Sequence, residues 1–317
     1  MRRSHIVPKF YLRAWAENER IAMRDAESGV EEIRNLKTAG VLRDFYLRER
    51  PDGESIYDVE WSLGEAENAA APLLRKLPEQ WPPSSEVRNA LAQFLGLQHL
   101  RGPAFRGWRK KLVESAATSF AYEGYSADEI KAAVEHQLNA TQDNAQMLRL
   151  SRVAASLFGS MHWTLVRFGQ PWLATSDQPV VVWPRGRGRT RPRPNDDTVG
   201  LTDIVEVFVP LDPSHLLLMS WIYEADTVTK GERSDAALAN AFCVANAAAQ
   251  WFHLIGGEVP LTADAQGPLT PELVNPSYDR AAVEQAPRRA AALTLAQRVL
   301  AAPLGNDPVP IVVFEAR

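Results

Sequence analysis

Cysteine is nearly missing from this sequence. Cys243 stands alone in 317 residues, which excludes an intrachain disulfide and suits a reducing compartment. There is no uncharged apolar run of the ~18 residues that a membrane helix needs. The start, MRRSHIVPKFYLRAW, carries basic residues but no apolar stretch long enough for a secretory signal, so the expectation is a soluble, cytoplasmic protein. A strong charge of one sign is missing too. The net charge is −4, so no overall field draws the chain to nucleic acid, and any anion-binding site must be local. Familiar cofactor signatures are also absent: no Gly-x-Gly-x-x-Gly after a strand, no P-loop, no Gly-x-Ser-x-Gly elbow, and no Cys or His cluster for zinc. Cys243 lies in an alanine-rich stretch without an obvious base beside it, which argues against a thiol nucleophile.

What is there reads as strands, then helices, then strands with one more helix. Apolar residues make up 45% and charged residues 23%, enough for a substantial core. The first fifty residues suggest short strands, with a hairpin around Ser28-Gly29. From Ile56, Val59, Leu63, Ala66, Ala70, Leu73 and Leu77 form a helical stripe that stops at EQWPPSS. Ser85 is the expected cap of a helix from Glu86 to about His99, and YSADEIKAAVEHQL starts a third helical region. A further helical pattern runs from Leu150 to Phe168, with Gly169 as its stop. WLATSDQPVVVW, IVEVFVPL and HLLLMSWI follow as strands, then a helix from Ser234 or Asp235 to about Leu254, and VPIVVFEA as a last strand. The order argues an α+β fold, a helical half packed on a mostly antiparallel sheet formed by N-terminal and C-terminal strands. The expected organisation is one domain over 1–317: short strands in 1–50, a helical half in 51–169, and a strand-rich half with one long helix in 170–317.

The functional signal is polar side chains on faces that should be apolar. With Val87 at zero on its helix, Gln98 falls near about +20° and Arg101 near about −40°, inside the stripe of Leu91 and Phe94. Neither belongs in a core unless its hydrogen bonds or charge are satisfied, and an architectural pair is as good a reading as a site. Asn246 and His253 fall two turns apart on one face of the helix expected after Ser234; for His253 a satisfied core histidine is the preferred reading. Glu60 and Glu67 border the stripe that starts at Ile56, where they could bind a metal or simply edge a core. His99 and His162 point away from their stripes and receive no role. Ser176 and Asp177 stand where an apolar strand should leave its sheet, as a turn or a pocket corner. Beyond them, Arg185, Arg187, Arg189, Arg191 and Arg193 put five guanidiniums into nine residues, a local anion trap with phosphate as the natural partner.

Taken in order, these stretches resemble a bacterial family, the domain-of-unknown-function 4238 family. SHIVPKFYLRAWA looks like its opening His-x-x-Pro-x-x-Tyr-Leu signature, followed by VLRDFYL, AENAAAPLLRKL and ALAQFLGLQHLRGPAFR. WLATSDQPVV resembles its Thr-Ser-Asp-x-Pro segment, VFVPLDPSHLLL its Pro-Leu-x-Pro segment, and LANAFCVANAAAQW its paired-asparagine helix. RDFY stands where the family pattern has Asn-Phe-Tyr, and the arginine loop is not part of that pattern. The resemblance adds His5 and Glu67 to Gln98, Arg101, Ser176, Asp177 and Asn246 as one candidate site assembled from separate segments. Such a set suits phosphodiester or nucleotide hydrolysis, with His5 or Asp177 as acid or base and Arg101 facing the phosphate. Asp177 and Glu67 would be the oxygen ligands for Mg²⁺ or Mn²⁺ if the site takes a metal. The expected partner is nucleic acid or a phosphorylated small molecule. The competing class is a non-enzymatic binding or regulatory protein whose polar network is structural.

Overall fold

The structure, a computed structural model, describes residues 3–43, 45–46, 48–49, 55–56, 58–138, 140–184, 201, 204–221, 225–262 and 286–301. The five loop arginines and the expected last strand lie outside these residues. Short elements come first: β1 (Arg3–His5), α1 (Lys9–Leu12) running into a 3-10 turn (Arg13–Trp15), β2 (Arg20–Asp25), β3 (Glu31–Asn35), β4 (Val41–Arg43), β5 (Arg48–Glu49) and β6 (Ser55–Ile56). The β2–β3 hairpin turns where Gly29 takes a φ of 70°, a conformation that glycine adopts without penalty. The Asp25 carboxylate closes that turn by accepting from the backbone and hydroxyl of Ser28.

Five helices follow: α2 (Asp58–Lys76), α3 (Ser85–Leu100), α4 (Pro103–Tyr122), α5 (Ala127–Gln137) and α6 (Ala140–Ser160). Ser84 rather than Ser85 caps α3, its hydroxyl accepting from Val87 N at 3.3 Å. Ser126 and Glu129 form a reciprocal capping box on α5. Helices α3 and α6 cross closely because Gly96 has no side chain: a Cβ there would lie 2.4 Å from Ser151 O.

Two expected helices end early. The pattern from Leu150 to Phe168 is α6 as far as Ser160 and then a strand, β7 (His162–Phe168). In the same way α7 (Arg233–Asn246) gives way to β13 (Gln250–His253), so Asn246 and His253 do not share a helical face. The first switch occurs within a run buried on all sides, where a helical stripe and a fully buried strand look alike, whereas the second falls in the exposed turn at Ala248 and Ala249. Aromatic and β-branched residues in HWTLVRF and QWFH favour the strand. Similarly, WLATSDQPVVVW is not one strand but two, β8 (Thr175–Ser176) and β9 (Val181–Pro184).

With β10 (Ile204–Asp212), β11 (His215–Ser220) and β12 (Thr227–Gly231), the main strands form two sheets. One has the order β12-β7-β11-β10-β9 and is antiparallel except for the parallel β12–β7 pair. The other, β3-β2-β13-β8, joins N-terminal strands to later ones and is antiparallel throughout. This is an α+β fold. Trp163, Leu165, Leu217 and Met219 face the main core, which includes Leu91 and Phe94 of α3 and Leu157 and Phe158 of α6. Val166, Phe168 and Leu216 pack instead with Ala236 and Ala239 of α7. A last helix, α8 (Pro287–Ala301), lies on α6.

Candidate functional site

The residues singled out by their misplaced polarity gather into two buried clusters, one on each side of the C-terminal turn of α3. The first is centred on Arg101, which is 3% exposed and caps α3. Its Nη1 donates to Glu67 Oε1 of α2 at 2.7 Å and to Gln98 Oε1 at 3.3 Å, and its Nη2 donates to His5 O at 2.5 Å. Tyr46 accepts from Arg101 Nε at 3.4 Å and returns a bond to Arg101 O at 2.9 Å. Gln98 Nε2 donates to Ile6 O at 2.9 Å. Burial works against the Arg101 charge, but Tyr46 and Glu67 more than compensate, and the guanidinium is held charged. The His5 imidazole is pushed below the usual histidine range, first by burial, with Leu36 O and Glu67 pulling the other way. Its Nε2 is buried without a hydrogen-bond partner.

The second cluster sits where the chain passes from one sheet to the other, between β8 and β9. Asp177, 2% exposed, accepts from three successive backbone amides: Ala248 N at 2.7 Å, Ala249 N at 2.8 Å and Gln250 N at 3.1 Å. The carboxylate therefore holds the turn that carries α7 into β13. Burial raises its pKa, and the three amides oppose the shift. Asn246, the last residue of α7, donates to Gln178 O at 2.7 Å, and Ser176 Oγ accepts from Gln178 N at 3.2 Å. Ser176 also bonds the Cys243 thiol, whose pKa burial pushes up to about 12. The clusters meet through packing: a Cβ on Gly102 would touch the Gln178 side chain at 3.8 Å, and the His99 ring bonds Val180 O.

His5, Glu67, Gln98 and Arg101 thus come together, as do Ser176, Asp177 and Asn246. Asp177 and Glu67 lie in different clusters, and no group of three or more His, Cys, Asp or Glu side chains among the described residues is placed to hold a metal ion. His162 corrects the expectation, for it is buried in β7, and His99 is partly buried, its ring bonded to Val180 O. Helix α3 is covered on more than one side, so the side away from the Leu91 stripe is also interior.

Further polar residues escaped the pattern. Asn240 accepts from Ala174 N at 2.8 Å and donates to Trp172 O at 2.8 Å and Pro260 O at 2.9 Å. Tyr11 bonds Thr175 Oγ1 at 3.0 Å and Pro210 O. Their signal was in the quoted segments, as the first asparagine of LANAFCVAN and the tyrosine of SHIVPKFYL.

The fold and its interior define a class: an α+β protein in which buried amides, an arginine and a carboxylate join helices to two sheets. The chain belongs to the DUF4238 family, described as a protein of unknown function, whose model matches residues 3–253. No curated protein and no solved structure matches it. Among the described residues, no helix is long and apolar enough to cross a membrane.

Proposed function

We propose that this chain is a non-enzymatic binding protein. On this reading its buried polar clusters fix how the helices dock on the sheets. Its affinity for nucleic acid or an acidic partner comes from cations, foremost Arg185, Arg187, Arg189, Arg191 and Arg193. The observation that carries the reading is Asp177, whose two carboxylate oxygens are taken by three backbone amides. A phosphodiester hydrolase would need that carboxylate, or the Arg101 guanidinium, turned toward substrate. Both direct their hydrogen bonds inward. Net charge is −4, so binding through the arginine segment would be local and would weaken steeply with salt.

The test is binding of single- and double-stranded DNA and RNA across a salt series, with cleavage read in the same samples under Mg²⁺, Mn²⁺ and chelator. The expected result is salt-sensitive binding without turnover, abolished when the five arginines become serine and retained in a folded Asp177→Asn variant. Turnover by the unaltered protein, whether kept or lost in Asp177→Asn, would overturn the reading.

A hydrolase acting on nucleic acid or nucleotides is the second reading. It is favoured by the unpartnered Nε2 of His5 beside Glu67, whose side chain is 24% exposed. Turnover abolished in folded His5→Gln but kept in Asp177→Asn would select it.

A further inference from the structure

Strand β3 (Glu31–Asn35) forms one edge of the smaller sheet, and every one of its residues is exposed. It pairs with β2 residue for residue, Ala22 opposite Ile33 and Met23 opposite Glu32. Which residues bond to β2 follows from the ends of the hairpin. Asp25 N donates to Val30 O at 2.9 Å, and Leu36 N donates to Glu19 O at 3.0 Å. Backbone groups alternate in side along an antiparallel strand, so the even-numbered residues of β3 bond to β2. Glu31, Ile33 and Asn35 therefore direct their N–H groups to the open edge, and Glu31 and Ile33 direct their C=O groups there too. Asn35 O instead accepts from Thr38 N and Ala39 N in the turn that follows.

Folded proteins blunt such edges with short strands, proline or lysine. The other edges of the two main sheets follow that rule: β8 is two residues long, β9 closes on Pro184, and β12 carries Lys230. Strand β3 has none of these devices. Ile33, at its centre, is 47% exposed, a β-branched side chain well suited to a sheet but left uncovered. On the opposite face Glu32 and Arg34 pair along the strand, Arg34 Nη2 to Glu32 Oε2 at 2.7 Å, with both side chains nearly half exposed.

We infer that β3 is a self-association surface, to which a second copy of this chain adds its own β3, antiparallel, about a two-fold axis at Ile33. In an antiparallel pair an outward-bonding residue must face another, so a two-fold axis passes through a residue and its own counterpart. Centred on Glu31, Glu32 or Arg34, the pairing sets like charges directly opposite, which is destabilising. Centred on Asn35, it calls on a carbonyl that already accepts from Thr38 and Ala39. Ile33 is the centre that works. Its N–H and C=O bond reciprocally to those of the second Ile33, and each Asn35 N–H meets Glu31 O of the other copy. Ile33 packs on Ile33, and Glu32 of each copy stands opposite Arg34 of the other. Each carboxylate then lies between two guanidiniums, its own and the second copy's. Charges that deter an unrelated strand thus select this chain's own. Two four-stranded sheets become one of eight. So short a contact is smaller than a standard interface, and a dissociation constant on the order of 10–100 µM is expected. The surface stands whether or not the chain binds nucleic acid.

The experiment is sedimentation equilibrium on the full chain over about 1–300 µM. The expected result is a reversible monomer–dimer equilibrium. Glu32→Arg and Arg34→Glu each set like charges opposite at both ends of the pairing, and each should weaken the dimer about tenfold or more. Mixed together, these two variants place Glu opposite Arg again and should pair with each other as the unaltered chain pairs with itself. Ile33→Pro removes the N–H at the axis but none of the bonds to β2, so it should be monomeric with an unchanged thermal midpoint. Association lost in each single variant and recovered in the mixture supports the inference. A monomer throughout the range overturns it. So does a dimer that persists in both charge variants and in Ile33→Pro, or a mixture that fails to recover association.

Discussion

Arg101 and Glu67 form an ion pair, Nη1 to Oε1 at 2.7 Å, that fastens α3 to α2, while the same guanidinium holds His5 O of β1. Losing the arginine strands a carboxylate and several acceptors in the interior. Arg101→Ala is expected to cost about 3–5 kcal/mol, whereas Glu67→Gln, which keeps an acceptor at a half-buried position, should cost clearly less. Urea unfolding midpoints of the two variants check the order. Equal and small losses would mean that the pair does not fasten the helices.

The Gly96 crossing gives an opposite pair of expectations. A Cβ at Gly96 meets backbone atoms, Ser151 O at 2.4 Å and Ala155 N at 2.8 Å, which cannot swing aside. Gly96→Ala should therefore destabilise by about 1–3 kcal/mol or more, despite the better helix propensity of alanine. Gly107, in α4, has nothing within 4 Å of its Cβ position, so Gly107→Ala should stabilise by about 0.5–1 kcal/mol. Thermal unfolding of both variants decides.

His99 makes the fold sensitive to acid. Burial lowers its pKa from 6.5 to about 4, with the bond to Val180 O opposing. Below 6.5 the unfolded chain takes up a proton that the native state refuses, so this contribution is complete above 6.5 and is lost as pH falls toward 4. The loss runs at up to about 1.4 kcal/mol per pH unit. His99→Gln keeps a donor but cannot titrate. Its stability should fall less than that of the unaltered protein between pH 7 and 4, as read by denaturant unfolding at each pH. Parallel curves would show that His99 is not the group responsible.

Cys243 should be inert in the native state. It is fully buried, its thiol is pushed up to about 12, and Ser176 bonds it. A thiol reagent is expected to modify the unfolded chain stoichiometrically and the native protein only at its rate of opening. Fast labelling at neutral pH would contradict the packing around α7.

The fold class and the hairpin at Gly29 were legible because alternation and turn chemistry act over a few residues. Gln98 and Arg101 were legible for a different reason: a polar group inside an apolar stripe must find partners, and these two found them on β1 and α2. Their partners were not legible, because nothing local says which strand will lie over a helix end. His162 belongs to a strand that the pattern hides, since a run buried on every side carries no stripe; His253 follows an alanine turn, Ala247–Ala249, whose residues are equally at home in a helix. Arg88, which pairs with Asp226, carries no such signal, because it lies off the stripe of α3, a helix that is interior on more than one side.

The pairing of β2 with β13 sets Asp25 opposite Gln250, and this governs the order in which the protein can be made. The second strand of the smaller sheet has to wait, without its central neighbour, until some 225 further residues have been synthesised (250 − 25). Closing so long a loop slows folding more than it costs stability. Through that interval β2 presents an unpaired edge, a surface on which a ribosome-bound chain recruits a chaperone or a neighbouring copy. A chain truncated within α7 would remain in that state permanently.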